Sequence, residues 1–243
     1  MRLLVLPACF LTLFIMPIVV RAAVYWRSPA FDWAGADRSS AGLLEPPDRH
    51  HAAAVRIYAA RTVSWRGIFA VHCWIVLKDQ DAPAYERYDL TAWGDPIRIN
   101  GFPPDGRWFG EAPQSVFAAD GERATAMIGR MRAAIETYRY RHRGDYRAWP
   151  GPNSNTFVAA VLAAVPEAGV TLPSNAIGRD FPLDGRILAL TPSRTGVRVT
   201  FGGYAGVTLA WVEGIEINIL GGVIGLDLRR PGLKLPAVGP VGI

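Results

Sequence analysis

The sequence predicts an α+β fold behind an N-terminal membrane helix, and three observations predict it. Residues 3–20, LLVLPACFLTLFIMPIVV, are almost wholly apolar and lie between Arg2 and Arg21. The middle of the chain mixes period-two strand patterns with two helical patterns. The last quarter is rich in glycine and breaks into short strand-like segments. A length of 243 residues suits one domain of ordinary size, or a domain with appendages. Half the residues are hydrophobic and 19% are charged, which excludes global disorder.

The apolar run would rise about 27 Å as a helix, close to the roughly 30 Å of a bilayer core. It exceeds the roughly 7–15 residues of a secretory h-region. An uncleaved anchor and a cleaved signal both stay open, because Val20-Arg21-Ala22 loosely resembles a cleavage site. Either places the chain at a membrane. Leu6-Pro7-Ala8-Cys9 stands too close to Met1 to serve as a lipoprotein box. The expected layout is an anchor or signal segment over 1–23, a tether over 24–52, a core over 53–182 and a Gly-rich β extension over 183–243. Pro29, Pro46 and Pro47 break the tether.

Within the core, residues 53–59 and 68–78 read as strands, and 84–92 as the returning strand of a hairpin. Residues 121–143 read as a helix that Asp120 can cap. Ala124, Met127, Ile128, Met131, Ile135 and Tyr138 share its apolar face. Six arginines occupy its other positions. Residues 155–165 form a short helix, apolar nearly all round and therefore buried. Beyond it, 186–191, 197–201, 206–213, 215–220 and 222–228 read as strands, followed by a Pro/Gly tail.

The net charge is +5 with a pI near 9.5, and nearly all of the positive charge is arginine. No zinc-finger spacing, aromatic-basic RNA signature or continuous basic block is present, so nucleic acid is not an expected partner. Anionic lipid is the better match for a basic chain with a membrane segment. Cys9 and Cys73 are unlikely partners, so no disulfide framework is expected. Glu213, Glu216, Asn218 and Asp227 are read as an outward strand face. Carboxylates without histidine are poor transition-metal ligands, and no cofactor or metal is implied.

His72 is the only histidine in a core-like strand. Ser154 stands at the start of the buried short helix, inside Asn153-Ser154-Asn155-Thr156, where a cap and a nucleophile are both open. A hydroxyl at a helix N-terminus facing a strand histidine can run acyl transfer. The helix end stabilises an oxyanion and the histidine takes the proton. If residues 78 and 85 are nearly opposite, His72 lies near Thr91 with Asp89 diagonal to it. Asp89 is then the chosen orienter of the ring, with Glu86 the weaker choice.

Asn153-Ser154-Asn155-Thr156-Phe157-Val158 resembles the Asn-Cys-x-x-Phe-Val motif of circularly permuted papain-like proteins, the NlpC-type and lecithin:retinol-acyltransferase-like group. Ala70-Val71-His72-Cys73-Trp74 resembles the histidine strand of that group, in the same chain order. The likeness covers roughly residues 53–165. It implies a permuted papain-like antiparallel sheet with helices. It also implies Ser154, His72 and Asp89 as catalytic residues, beside Asn153, Asn155 and Trp74 as ligand-binding ones. Serine replaces the group's cysteine, and a serine cannot be held pre-ionised by a helix end. The change therefore marks either serine chemistry or a lost activity. More widely, the chain resembles a bacterial membrane-associated family known only as a domain of unknown function. That resemblance implies a single-pass anchor in the inner membrane and a periplasmic body that meets an envelope ligand or protein partner. The expectation is a non-catalytic binding protein, with a serine hydrolase or acyltransferase and a purely structural envelope component as the alternatives.

Overall fold

The computed structural model describes residues 2–28 and 32–242, with the side chains of residues 2–8 set aside. It is α+β, with two antiparallel sheets and an N-terminal apolar helix. That helix, α1, covers Arg2–Arg27. Cys9–Arg27 within it is long and apolar enough to cross a membrane. The helix runs past the expected end at residue 23.

The first sheet holds β1 (Ala54–Arg61), β2 (Val71–Lys78), β3 (Glu86–Leu90), β4 (Ile97–Ile99) and β5 (Gln114–Asp120), in the order β4-β3-β2-β1-β5. The central strand β2, VHCWIVLK, is buried along its whole length. Both faces of the sheet are therefore covered. The sequence reading missed β4 and β5. β4 has only three residues inside a Pro/Gly-rich loop, and β5 alternates without a bulky apolar face.

One face is covered by α2 (Gly121–Glu136) and α3 (Ser154–Ala163). Val55, Ile57, Cys73, Ile75 and Leu77 meet Met127, Met131, Phe157 and Val161 there. Phe157 is wholly buried. The other face carries Tyr58, Trp74 and Val76 under Trp108 and Phe109 of the loop after β4. The segment expected to be a tether straps this loop. Ser40 Oγ lies 2.7 Å from Asp105 Oδ1, and the Leu43 amide donates to Asp105 Oδ2 at 2.7 Å.

α2 ends at Glu136 rather than at 143. Tyr138 leaves the helix path to pack edge-on against Phe157, and Tyr140 donates to the Leu183 carbonyl at 3.2 Å. These tertiary contacts win over helical periodicity. Asp120 sits at the N-cap but makes no side-chain cap bond. Its carboxylate pairs with Arg56 at 2.7 Å instead.

The second sheet holds β6 (Leu188–Leu190), β7 (Gly196–Phe201), β8 (Ala205–Ala210), β9 (Gly214–Ile219), β10 (Gly222–Asp227), β11 (Gly232–Leu235) and β12 (Gly239–Val241), all in sequential order. The last two strands lie where the sequence suggested a tail. Glu213, Glu216 and Asn218 are buried, which corrects the outward face expected for them. The sheet is inverted: its charged and hydroxyl side chains face the body, and its apolar ones face out.

Candidate functional site

His72 enters the site from the start of β2. The strand alternates, so Val71 and Cys73 join the core under α3, while His72 and Trp74 face the opposite layer. The β2–β3 register pairs Ile75 with Tyr88. Carried back along the strands, it sets His72 near Thr91 with Asp89 diagonal to it. His72 Nε2 lies 2.8 Å from Asp89 Oδ1. Asp89 is also gripped by Arg87, whose Nε donates to Oδ2 at 2.7 Å and Nη2 to Oδ1 at 3.0 Å. Arg87 and Asp89 are two residues apart on one strand and therefore share a face.

All three groups are buried. Arg87 lies with its guanidinium 4.1 Å from the Trp74 ring centroid, and Nη1 donates to the Pro103 carbonyl at 2.8 Å. The His72 ring stacks on Trp108 at 3.6 Å, with an interplanar angle of 11°. Burial lowers the His72 pKa below its ordinary 6.5, and the Asp89 contact only partly opposes this. Burial alone would raise the Asp89 pKa, but the His72 hydrogen bond and the Arg87 charge hold it below 3.8. The set is thus a neutral imidazole, a carboxylate and a guanidinium. The His72 Nε2–H donates to Asp89, leaving Nδ1 as a lone-pair acceptor.

These shifts fix a pH dependence. Between pH 6.5 and the lower folded value the unfolded chain binds the His72 proton more than the folded chain does, so stability falls as pH drops through that window. The Asp89 contribution is present above pH 3.8 and is lost as pH falls through its lower folded value. His72→Gln should flatten the fall that begins near pH 6.5, measured as the difference between variant and wild-type unfolding curves at successive pH values. An unchanged slope would refute the neutral, buried imidazole.

Ser154 is the first residue of α3, and it is 3% exposed. Asn153 is the N-cap: its side chain accepts from the amides of Asn155 at 2.9 Å and Thr156 at 3.1 Å. Thr156 Oγ1 answers by accepting from the Asn153 amide at 3.1 Å, which completes a capping box. Gly178 has φ +95°, and a Cβ there would stand 2.3 Å from Asn153 Nδ2, so the cap fits only against a glycine. Asn153→Ala should cost about 2 kcal/mol, the upper end for a cap, because Nδ2 also bonds the Ala148 and Ile177 carbonyls. Chemical denaturation measures it, and a loss within error of zero would contradict the cap.

Asn155 donates to the Val71 carbonyl at 2.9 Å and to Ile177 at 2.8 Å, which ties the helix start to β2. Burial raises the Tyr146 pKa above its ordinary value, and the neighbouring Ser154 partly opposes this. Trp74 Nε1 donates to the Pro104 carbonyl at 2.9 Å. The structure therefore brings His72 and Asp89 together. It sets Ser154 at the start of α3 beside Tyr146, and His72 points to the sheet face away from α3. Among the described residues no hydrogen bond joins Ser154 to His72. Glu86, the weaker orienter, lies on the other face of β3 and pairs with Arg132 at 2.8 Å.

Sequence reasoning missed Arg87, Trp108 and Tyr146. Arg87 was findable, because it shares a strand face with Asp89. Trp108 and Tyr146 come from irregular segments whose placement no periodicity encodes.

A cavity of about 610 Å³ opens beside the start of β2. Arg61, Arg123, Arg229 and Arg230 line it together with Glu111 and Asp227, and Ser174 and Asn175 also face it. Ser174 Oγ and Asn175 Oδ1 are buried without a hydrogen-bond partner among the described residues. Burial pushes the Arg61 pKa down to about 10, helped by the nearby Arg21 charge. Neither Ser154 nor His72 lines this cavity.

No curated protein and no solved structure matches the chain. A family profile described as a protein of unknown function, DUF3750, matches residues 52–181. Those residues hold the whole five-stranded sheet with α2 and α3, and they make up more than half of the chain: it belongs to the DUF3750 family.

Proposed function

We propose that this chain is a membrane-anchored cell-envelope protein with a papain-like core that binds an anionic envelope ligand and does not hydrolyse it. One observation carries the reading: the two halves of the expected catalytic apparatus are engaged separately. Asp89 is shared between His72 and Arg87 beneath Trp108. Ser154 is buried at the start of α3, on the other side of the sheet, and among the described residues no hydrogen bond joins it to His72. A serine nucleophile needs its base within hydrogen-bond reach. The helix α1 supplies the anchor.

The cavity beside β2 is the assigned ligand site, since its four arginines outnumber Glu111 and Asp227 and favour an anionic group. The full chain in detergent micelles tests it by thermal unfolding with inorganic phosphate and with glycerol 3-phosphate. A ligand that binds only the folded state raises Tm by mass action. Tm should rise with added probe, and the rise should shrink in Arg230→Gln and in Arg123→Gln. No rise with either probe would count against the cavity as an anion site.

A second reading, a serine-dependent hydrolase or acyltransferase, is favoured by the 2.8 Å His72–Asp89 pair, which is the base and orienter of a triad. Its signature is covalent capture of Ser154 by a serine-directed probe.

A further inference from the structure

The cross-strand rows of the second sheet separate by chemistry. On its inner face Arg198, Thr208, Glu216, Gly225 and Lys234 stand in register across five strands. Lys234 Nζ lies 2.7 Å from Glu216 Oε1, and Arg179 Nη2 lies 2.6 Å from Glu216 Oε2. Arg198 pairs with Asp180 at 3.0 Å. The next row, on the outer face, reads Leu190, Val197, Leu209, Ile215, Leu226 and Leu233 across six strands. Every one of these six is exposed, Leu190 to 65% and Leu209 to 56%. A sheet that meets water on one face normally turns its apolar row inward. This one does the reverse, and over a breadth of surface that soluble monomers rarely leave bare.

α1 lies on that same outer face. Gly222 shares the outward parity of Ile224 and Leu226 on β10, and a Cβ built on it would stand 2.6 Å from Phe14 Cζ. Near its other end α1 is tied to the body by the Tyr25–Ser64 hydroxyl contact at 3.4 Å. Phe14 is 13 residues before Arg27, about 20 Å along the helix. The body therefore runs alongside the apolar helix and does not hang from its end. A helix that crosses the bilayer in this position carries the start of β10 with it to hydrocarbon depth.

From these placements we infer that the outer face of the seven-stranded sheet is a lipid-embedded surface, lying in the acyl-chain region of the bilayer beside α1. Within the strands Arg198, Glu216 and Lys234 turn inward and are paired, so the outer face carries no charge into lipid. The sheet is open, so its edge strands β6 and β12 and the exposed arginines of its turns stay at headgroup level or above. Exposed Trp211 and Tyr204 are suited to the headgroup level. The inference rests on the reading of α1 as a membrane anchor, and the test separates the two.

The full chain, with Cys9→Ser as background, is reconstituted into vesicles of phosphatidylethanolamine and phosphatidylglycerol. Nitroxide labels are placed one at a time at Leu209→Cys, Ile217→Cys, Met16→Cys and Glu122→Cys. Collision with oxygen and with a water-soluble nickel complex is read by electron paramagnetic resonance. The expected result is oxygen contact in excess of nickel contact at 209 and 217, matching Met16, and the reverse at exposed Glu122. Nickel contact at 209 and 217 with Met16 shielded would overturn the lipid face and leave the anchor standing. Nickel contact at Met16 as well would remove the anchor and the inference together. Shielding of 209 and 217 from both reagents, with spin–spin broadening between copies, would overturn the inference in favour of a second copy of the chain. Near-ultraviolet circular dichroism confirms that each labelled protein is folded.

Discussion

Arg87→Met is expected to cost about 3–5 kcal/mol of unfolding free energy, the loss that follows when one member of a buried ion pair is removed. Arg87 and Asp89 are both wholly buried. The guanidinium makes two of the three hydrogen bonds to the Asp89 carboxylate, at 2.7 and 3.0 Å. Methionine preserves much of the packing on Trp74 and Phe102 but supplies no charge. Asp89 is then left with only the neutral His72, and it must either hold an uncompensated charge or take up a proton. Arg87→Lys keeps the charge but loses the planar fork that spans both carboxylate oxygens, so it should fall between methionine and wild type. Urea unfolding of the full chain in detergent micelles measures all three. A loss below about 1 kcal/mol for Arg87→Met, the size of an exposed pair, would contradict a dry site.

Glu216→Ala should be equally severe, and for the same reason. Glu216 accepts Arg179 on one oxygen and Lys234 on the other, at 2.6 and 2.7 Å, and all three are buried. Its removal leaves two cations facing each other behind the sheet, with an expected cost of about 3–5 kcal/mol. The adjacent residue gives the contrast. Ile217 points outward and is 39% exposed. Ile217→Ala should cost far less, because the body packs little against that side chain. If the two variants were equally destabilised, the inside-out reading of β9 would be wrong.

Much of the first sheet was legible in the sequence. The β2–β3 hairpin could be registered from its turn, since Asp79 to Pro83 leaves few pairings that bury both apolar faces. That register alone carried Asp89 to within reach of His72. The short apolar helix was equally plain, because a run apolar on every side can only be buried. The clear misses share one physical origin. α2 was drawn seven residues too long because Tyr138 fits its helical period, whereas the contact with Phe157 pulls that ring off the helix axis. Trp108 reaches His72 from a loop whose path is set by Asp105 and the strapping segment, and no local pattern records such a path. Five of the seven strands of the second sheet were found, β11 and β12 being read as a tail, and its polar face was assigned to the outside. Alternation fixes which residues share a face. It does not fix which face meets the body, and a chain at a membrane can invert the usual choice.

The resemblance to the acyl-transfer group rests on Asn153 to Val158 and on His72. In the fold these residues have clear structural work. Asn153 caps α3, Asn155 ties it to β2, Thr156 closes the capping box, and Phe157 and Val158 fill the core. Ser154 takes no part in the capping box or in the tie to β2, and its side chain lies beside Tyr146.

Ser154 is accordingly where the functional account is most exposed to test. The full chain in detergent micelles is treated with a fluorophosphonate that captures activated serines, and its intact mass is recorded beside Ser154→Ala and His72→Ala. The binding role predicts no mass gain in the folded wild-type protein. A gain of one probe mass that disappears in both variants would contradict it, and would establish Ser154 as a nucleophile with His72 as its base.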